Sequence, residues 1–197
     1  MAIGGCIAGP NLAAVLRLPE VGGRERRVVL QRGQVRAIEG APLLQILRLV
    51  GAQPVEVGTT TACAADELEA ILAEGAAAGL YLSGPPLVGL PGFVWACRSA
   101  GVPSVVVGDG TLSPLAALDA GADLVLVDPA PLHGGPSAGL VLGRSDLVRC
   151  CALQERGLGA LFPAEEATLD AVVAAVAAAA GDPATGRAVA DPASAGA

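Results

Sequence analysis

The sequence predicts an α/β fold, a three-layer sandwich built on a mostly parallel sheet. Three observations carry this reading. Short apolar runs rich in Val, Leu and Ile alternate with segments of helical spacing along the 197 residues. The composition is 53% hydrophobic but only 2% aromatic, so Ala, Val and Leu must fill the core, as is usual for a sheet covered on both faces. The length suits one domain with a substantial core.

In chain order, Ile3 and Ile7 are read as a short first strand. Asn11 suits a helix N-cap, with Leu12, Val15 and Leu16 at helical spacing behind it. Pro19, Gly22 and Gly23 punctuate a loop over Leu18–Arg26, and Arg27–Leu30 is a strand. Pro42 fits the first turn of a helix that runs to about Val50 and stops at Gly51. Val55–Val57 is the next strand, and Thr59 and Thr60 suit either turn and capping hydroxyls or the lining of a site. A helix over Asp66–Glu74 carries acids in its early turns.

Leu80–Leu82 is a strand that leads into SGPPLVGLPG, a loop stiffened by Pro85 and Pro86. Phe93–Ser99 is a helix whose Trp95 is read as a core or interface anchor. Val102–Gly110 is a strand and turn, in which Asp109 begins a common Asp-Gly turn dipeptide. Leu115–Ala120 is a short helix. Leu124–Val127 and Leu140–Leu142 are strands flanking a loop that contains His133, Gly134, Gly135 and Gly139. Asp146–Leu153 and Ala167–Ala180 are helices, and residues 182–197 read as a disordered tail.

Charge and cysteine usage narrow the function classes. A formal charge of −7 argues against a general nucleic-acid surface. Arg24, Arg26, Arg27, Arg32 and Arg36 nevertheless lie close together, as a solvated edge strand and turn or as an anion patch. Five cysteines with wide spacing and no secretory signal point to reduced thiols in a cytoplasm, and no CxxC pair or His cluster suggests a metal. Cys150 and Cys151 read as one buried thiol beside a less buried one. The Ala/Val run at Ala171–Ala180 is too short to span a bilayer, which takes about 20 residues.

The segment GADLVLVDPAPLHGGPSAGLVLGRSDLV resembles the stretch that carries the cofactor lysine in bacterial L-seryl-tRNA(Sec) selenium transferase and in the related D-glucosaminate-6-phosphate ammonia-lyase group. Both are fold-type-I pyridoxal-phosphate (PLP) enzymes, with a loop that reads roughly Lys-x-x-Gly-Gly-Pro-x-x-Gly. Further segments match in order: PNLAAVL, QRGQ, and EGAP followed by a helix and EVGTT. The resemblance covers roughly Gly9 to Ala180 and implies the large domain of that fold, in which the strand after the glycine loop is the antiparallel member. It implies a domain over residues 1–181 that is truncated at both ends relative to the family.

By the same resemblance, Asn11 begins a helix facing the PLP phosphate. Arg32 sits at a strand end near the active site, able to hold a phosphate or carboxylate bidentately. A lone Arg there also suits a solvent-facing ion pair. Asp109, His133, Gly134 and Gly135 complete a remnant site. His133, the only histidine, suits a general base or a loop residue without a task.

Two departures change the chemistry that the resemblance implies. Pro131 stands where the family has its Schiff-base lysine, and the chain has no lysine: all twelve basic residues are arginine. Arginine stays protonated and cannot form the imine. Val106 stands where the family has the Asp that pairs with the pyridine nitrogen. The expectation is a non-catalytic relative with no catalytic residue. Such a relative would be an interaction or small-ligand-binding module, taking PLP or another phosphorylated small molecule without a covalent bond, as a homodimer or with a full-length relative. Two other readings stand beside it: an enzyme whose partner supplies the lysine, and an unrelated small α/β binding protein, which a sheet with all strands parallel would favour.

Overall fold

The apolar runs form strands whose side chains alternate between two cores. The structure, a computed structural model, describes residues 1–20, 22–38, 40–84, 87–108, 112–127, 139–163 and 165–181. In chain order its elements are α1 (Ala2–Ala8), α2 (Leu12–Val15), β1 (Arg27–Gln31), β2 (Ala37–Ile38), β3 (Ala41–Pro42), α3 (Leu43–Leu49), β4 (Gln53–Val57), α4 (Ala65–Ala73), β5 (Ala78–Leu82) and α5 (Leu90–Ser99). Then come β6 (Ser104–Val107), α6 (Pro114–Asp119), β7 (Leu124–Val127), β8 (Leu140–Gly143), α7 (Ser145–Ala152) and α8 (Glu166–Gly181).

Two compact units result: Met1–Val127 with Val141–Pro163, and Asp128–Leu140 with Ala164–Ala197. The second is described mainly through α8, a helix rich in Ala and Val that begins at Glu166, where an acid suits the helix dipole. No helix among the described residues is long and apolar enough to cross a membrane. The tail expected at 182–197 lies outside the described residues.

The main sheet has the order β4-β1-β5-β6-β7-β8. The pairs β1–β4, β1–β5, β5–β6 and β6–β7 are parallel. At the far edge, Arg144, just after β8, donates its N–H to the Asp123 carbonyl at 2.9 Å, beside the start of β7. The end of β8 therefore meets the beginning of β7, and β8 runs opposite to it. This is the mixed sheet expected above, not an all-parallel one.

Period-2 alternation assigns each strand residue to a layer. Val28, Leu30, Leu80, Leu82, Val105 and Leu124 face a core closed by α1, α3 and α7. Val29, Tyr81, Val106 and Val125 face the other, closed by α4, α5 and α6.

Several expectations need correction. The segment read as a first strand is α1. Ile3 and Ile7 are four apart, on one helical face, and Gly5 lets α7 pack closely: a Cβ on Gly5 would lie 3.0 Å from the Cys151 backbone nitrogen. Cys150 and Cys151 are both buried, on α7. Trp95 is 58% exposed and belongs to no core. The strand after the Arg24–Arg27 run is interior, between β4 and β1's other neighbour β5, so no arginine there marks an edge strand. The hairpin β2–β3 was not expected from the sequence.

Candidate functional site

In an open parallel sheet, ligands favour the crevice outside the carboxyl ends of the strands, where successive connections leave in opposite directions. Here that point lies between β1 and β5. From β1 the chain moves outward to β4, and from β5 it moves the other way to β6 and β7. The segment after β1 carries QRGQ and Arg36, and the segment after β5 begins with Ser83.

Side chains from the first segment pin the second. Gln31, the last residue of β1, falls on the same face as Val29 and is fully buried. Its side-chain amide donates to the Val88 carbonyl at 3.0 Å and accepts from the Val88 N–H at 2.7 Å. Gln34, also buried, accepts from the Leu82 N–H at 3.3 Å. Its buried Nε2 has no hydrogen-bond partner among the described residues. Burial pushes the Tyr81 phenol up from its ordinary value, while Gln34 and the Leu90 backbone draw it down. Arg36 Nη1 donates to the Ser83 carbonyl, and the Ser83 hydroxyl donates to the Val107 carbonyl at 3.2 Å. Gly33 lies under Leu87 and against the Thr60 backbone so closely that a Cβ would overlap both. The crevice at this switch point is thus crossed by the chain's own hydrogen bonds.

The sequence-predicted residues fall in separate places. Asn11 is an N-cap, its Oδ1 accepting from the Ala14 N–H at 3.1 Å, on a helix of only four residues. It lines a pocket with Arg17, Glu20 and Arg24. Arg32 is half exposed and ion-paired with Glu56 at 3.3 Å, across the β1–β4 pair. Arg32 is not among the residues lining the Asn11 pocket. Asp109, Pro131, His133, Gly134 and Gly135 lie outside the described residues. Thr59 closes a turn, its hydroxyl accepting from the Ala62 N–H at 3.0 Å. Val106 is fully buried in the α4–α6 core.

Sequence reasoning singled out Arg32 in QRGQ and passed over the two glutamines. The signal was present in the alternation, since a glutamine two residues beyond Val29 on a buried strand must spend its amide on a partner. Among the described residues no group of three or more His, Cys, Asp or Glu could hold a metal.

The comparisons agree with this architecture. No family model matches the chain. It is 34% identical over 169 residues to the 5'-C-glycyluridine monooxygenase-decarboxylase of Streptomyces sp, across 80% of this chain and 41% of that protein. It is 28% identical over 189 residues to the L-seryl-tRNA(Sec) selenium transferase of Yersinia enterocolitica, across 85% of this chain and 40% of that protein. Among solved structures, D-glucosaminate-6-phosphate ammonia-lyase superposes with a TM-score of 0.79 at 26% identity, covering 90% of this chain and 50% of that one. The chain therefore spans half or less of the length of these relatives.

Proposed function

From a chain related to the PLP-dependent selenium-transferase and ammonia-lyase family, we propose a protein that has kept the scaffold and lost the covalent chemistry: a non-catalytic interaction or small-ligand-binding module. That relation replaces the reading of an accidental likeness.

The observation that carries the proposal is the mismatch between this chain and the cofactor. PLP chemistry draws on a lysine amine and on a carboxylate at the ring nitrogen. The 197 residues contain no lysine. Val106, at the position of the ring carboxylate, is fully buried between Tyr81 and Val125 on the neighbouring strands. The residues present do not fit a covalently held PLP.

Assembly as a homodimer or with a full-length relative is supported by large apolar side chains left in solvent, among them Trp95 and Phe162, 82% exposed. The free thiols support a cytoplasmic setting.

The test is spectroscopic. Purified protein is mixed with PLP, dialysed, treated with borohydride and analysed by mass spectrometry. The expected result is no retained absorbance in the imine region and no mass increase. A retained, reducible adduct would overturn the proposal, and an adduct formed only with a lysine-bearing partner present would favour the two-chain enzyme.

A further inference from the structure

Two pockets among the described residues use their charges in opposite ways. One, of ≈ 310 Å³, lies at the amino ends of β6 and β7 and is lined by Asp123 and Arg144. Asp123 Oδ2 accepts from the Ser104 N–H at 2.8 Å and from its hydroxyl at 2.9 Å, and Oδ1 accepts from Arg144 at 2.9 Å. Arg144 also closes on Asp146 at 2.7 and 3.2 Å, holding that carboxyl below its ordinary range. These charges are consumed within the fold.

The other pocket, of ≈ 140 Å³, lies beside α2. Asn11, Arg17, Glu20 and Arg24 line it together with Ala8 and Ala14. Here the charges have no internal use: Arg17, Glu20 and Arg24 make no ion pair and no side-chain hydrogen bond with any described residue. The chain carries 19 acidic residues against 12 arginines, so carboxylates were not scarce. Asn11 has committed its oxygen to the Ala14 N–H, which leaves its Nδ2 amide as a donor.

We propose that Arg17 and Arg24 bind the oxyanion head of a small molecule, a phosphate or a carboxylate, with the Asn11 amide as a third donor. Two guanidinium forks match the oxygen geometry of either group. The pocket is smaller than the roughly 300 Å³ of sites that enclose a whole ligand, so it takes the head and leaves the remainder in solvent. Glu20, in the same lining, lowers affinity for a dianion and sets a limit on charge. The proposal deepens the ligand-binding reading and rests on it.

The test is calorimetric titration of the full chain at low salt with inorganic phosphate and, separately, with acetate. The stronger of the two identifies the head group. R17Q and R24Q are each expected to weaken that binding about tenfold or more, since each removes a charged donor. E20Q is expected to tighten phosphate binding about threefold, as loss of a nearby like charge in a water-like medium should. R98Q, in the larger pocket, serves as the control and is expected to bind like the parent. All of these side chains lie at the surface, and circular dichroism checks that each variant folds. Absence of binding by both anions, parent-like binding by R17Q and R24Q, or equal weakening by R98Q would overturn the proposal. None of these results bears on the borohydride experiment, which tests the non-catalytic reading separately.

Discussion

Replacing Gln31 with Leu tests whether the crevice between β1 and β5 is held shut by a side-chain clamp. Gln31 is fully buried, and its amide satisfies both backbone groups of Val88, at 2.7 and 3.0 Å. Leucine has a similar volume and makes neither bond, so the substitution isolates the hydrogen bonds from a cavity effect. It leaves a buried N–H and a buried C=O without partners, at about 1–3 kcal/mol each. Burying an apolar side chain in place of an amide returns roughly 1–2 kcal/mol. Taken at mid-range these terms leave an expected net loss of about 2–3 kcal/mol, a large share of a typical domain stability of about 5–15 kcal/mol. Urea unfolding followed by circular dichroism should show a lower midpoint with an unchanged slope. Native-state hydrogen exchange should show the Val88 amide opening faster, while the Val29 amide, inside β1, follows only the global change. A loss below about 1 kcal/mol, or a Val88 amide as protected as in the parent, would refute the clamp.

Three further outcomes follow from the packing and the charges. G79A should destabilise by about 1–3 kcal/mol, because a Cβ there would overlap Cys97 Sγ and sit 3.1 Å from Phe93 Cζ; denaturant unfolding measures it. Burial, the largest cause in each case, pushes the Cys6 and Cys97 thiols up to about 12. Below the ordinary thiol value near 9 both are protonated, folded or unfolded. Between about 9 and 12 the unfolded chain releases protons that the fold retains, so stability should fall by about 1.4 kcal/mol per pH unit for each thiol. A C6A/C97A variant should show a flatter alkaline profile. R32Q should cost less than about 1 kcal/mol in the same assay, because the pair with Glu56 at 3.3 Å is half exposed and screened.

The regular elements were legible because they follow periodicity. The β1, β7 and β8 runs, and the helices from Pro42, Asp66 and Phe93, lie within a few residues of their expected bounds. The misreadings share a cause: local composition was taken for burial. Gly-rich Ala2–Ala8 suggested a strand, yet its glycines serve a helix contact that only tertiary packing reveals. Trp95 suggested a core or interface anchor by size; the core role fails, because it lies on the outer face of α5, opposite Phe93, Val94 and Cys97. The site was legible as a set of segments and not as a set of contacts. Asn11 was readable as a cap from its residue type. Whether Arg32 meets Glu56 or a ligand depends on the β1–β4 register, which no local pattern encodes. The charges of Arg17 and Arg24 became informative only once other arginines were seen paired.

Placing a carboxylate at position 106 tests the mismatch with PLP from the protein's side. Val106 on β6 pairs in register with Tyr81 and Val125, is fully buried, and packs in the apolar core with Phe93 and Ala117. If this strand position still faced a polar ligand site, Asp would fit it with little penalty. In an apolar core the Asp charge has no cation to meet, and an uncompensated buried charge costs about 3–5 kcal/mol. V106A controls for the packing lost with the side chain, so the informative quantity is the extra loss in V106D. The expectation is at least about 3 kcal/mol at pH 8. The sign with pH is also determined. Burial raises the folded-state pKa of the new carboxyl above its unfolded value of about 3.9, so the ionisation part of the penalty is absent below that value, grows between it and the folded pKa, and is constant above both. The gap between the two variants should therefore be smaller near pH 4, where only the cost of burying a neutral carboxyl remains, and widen towards pH 8, as urea unfolding at both pH values would show. If V106D matched V106A at pH 8, the strand would retain a place for the ring carboxylate, and the mismatch with PLP would rest on the missing lysine alone.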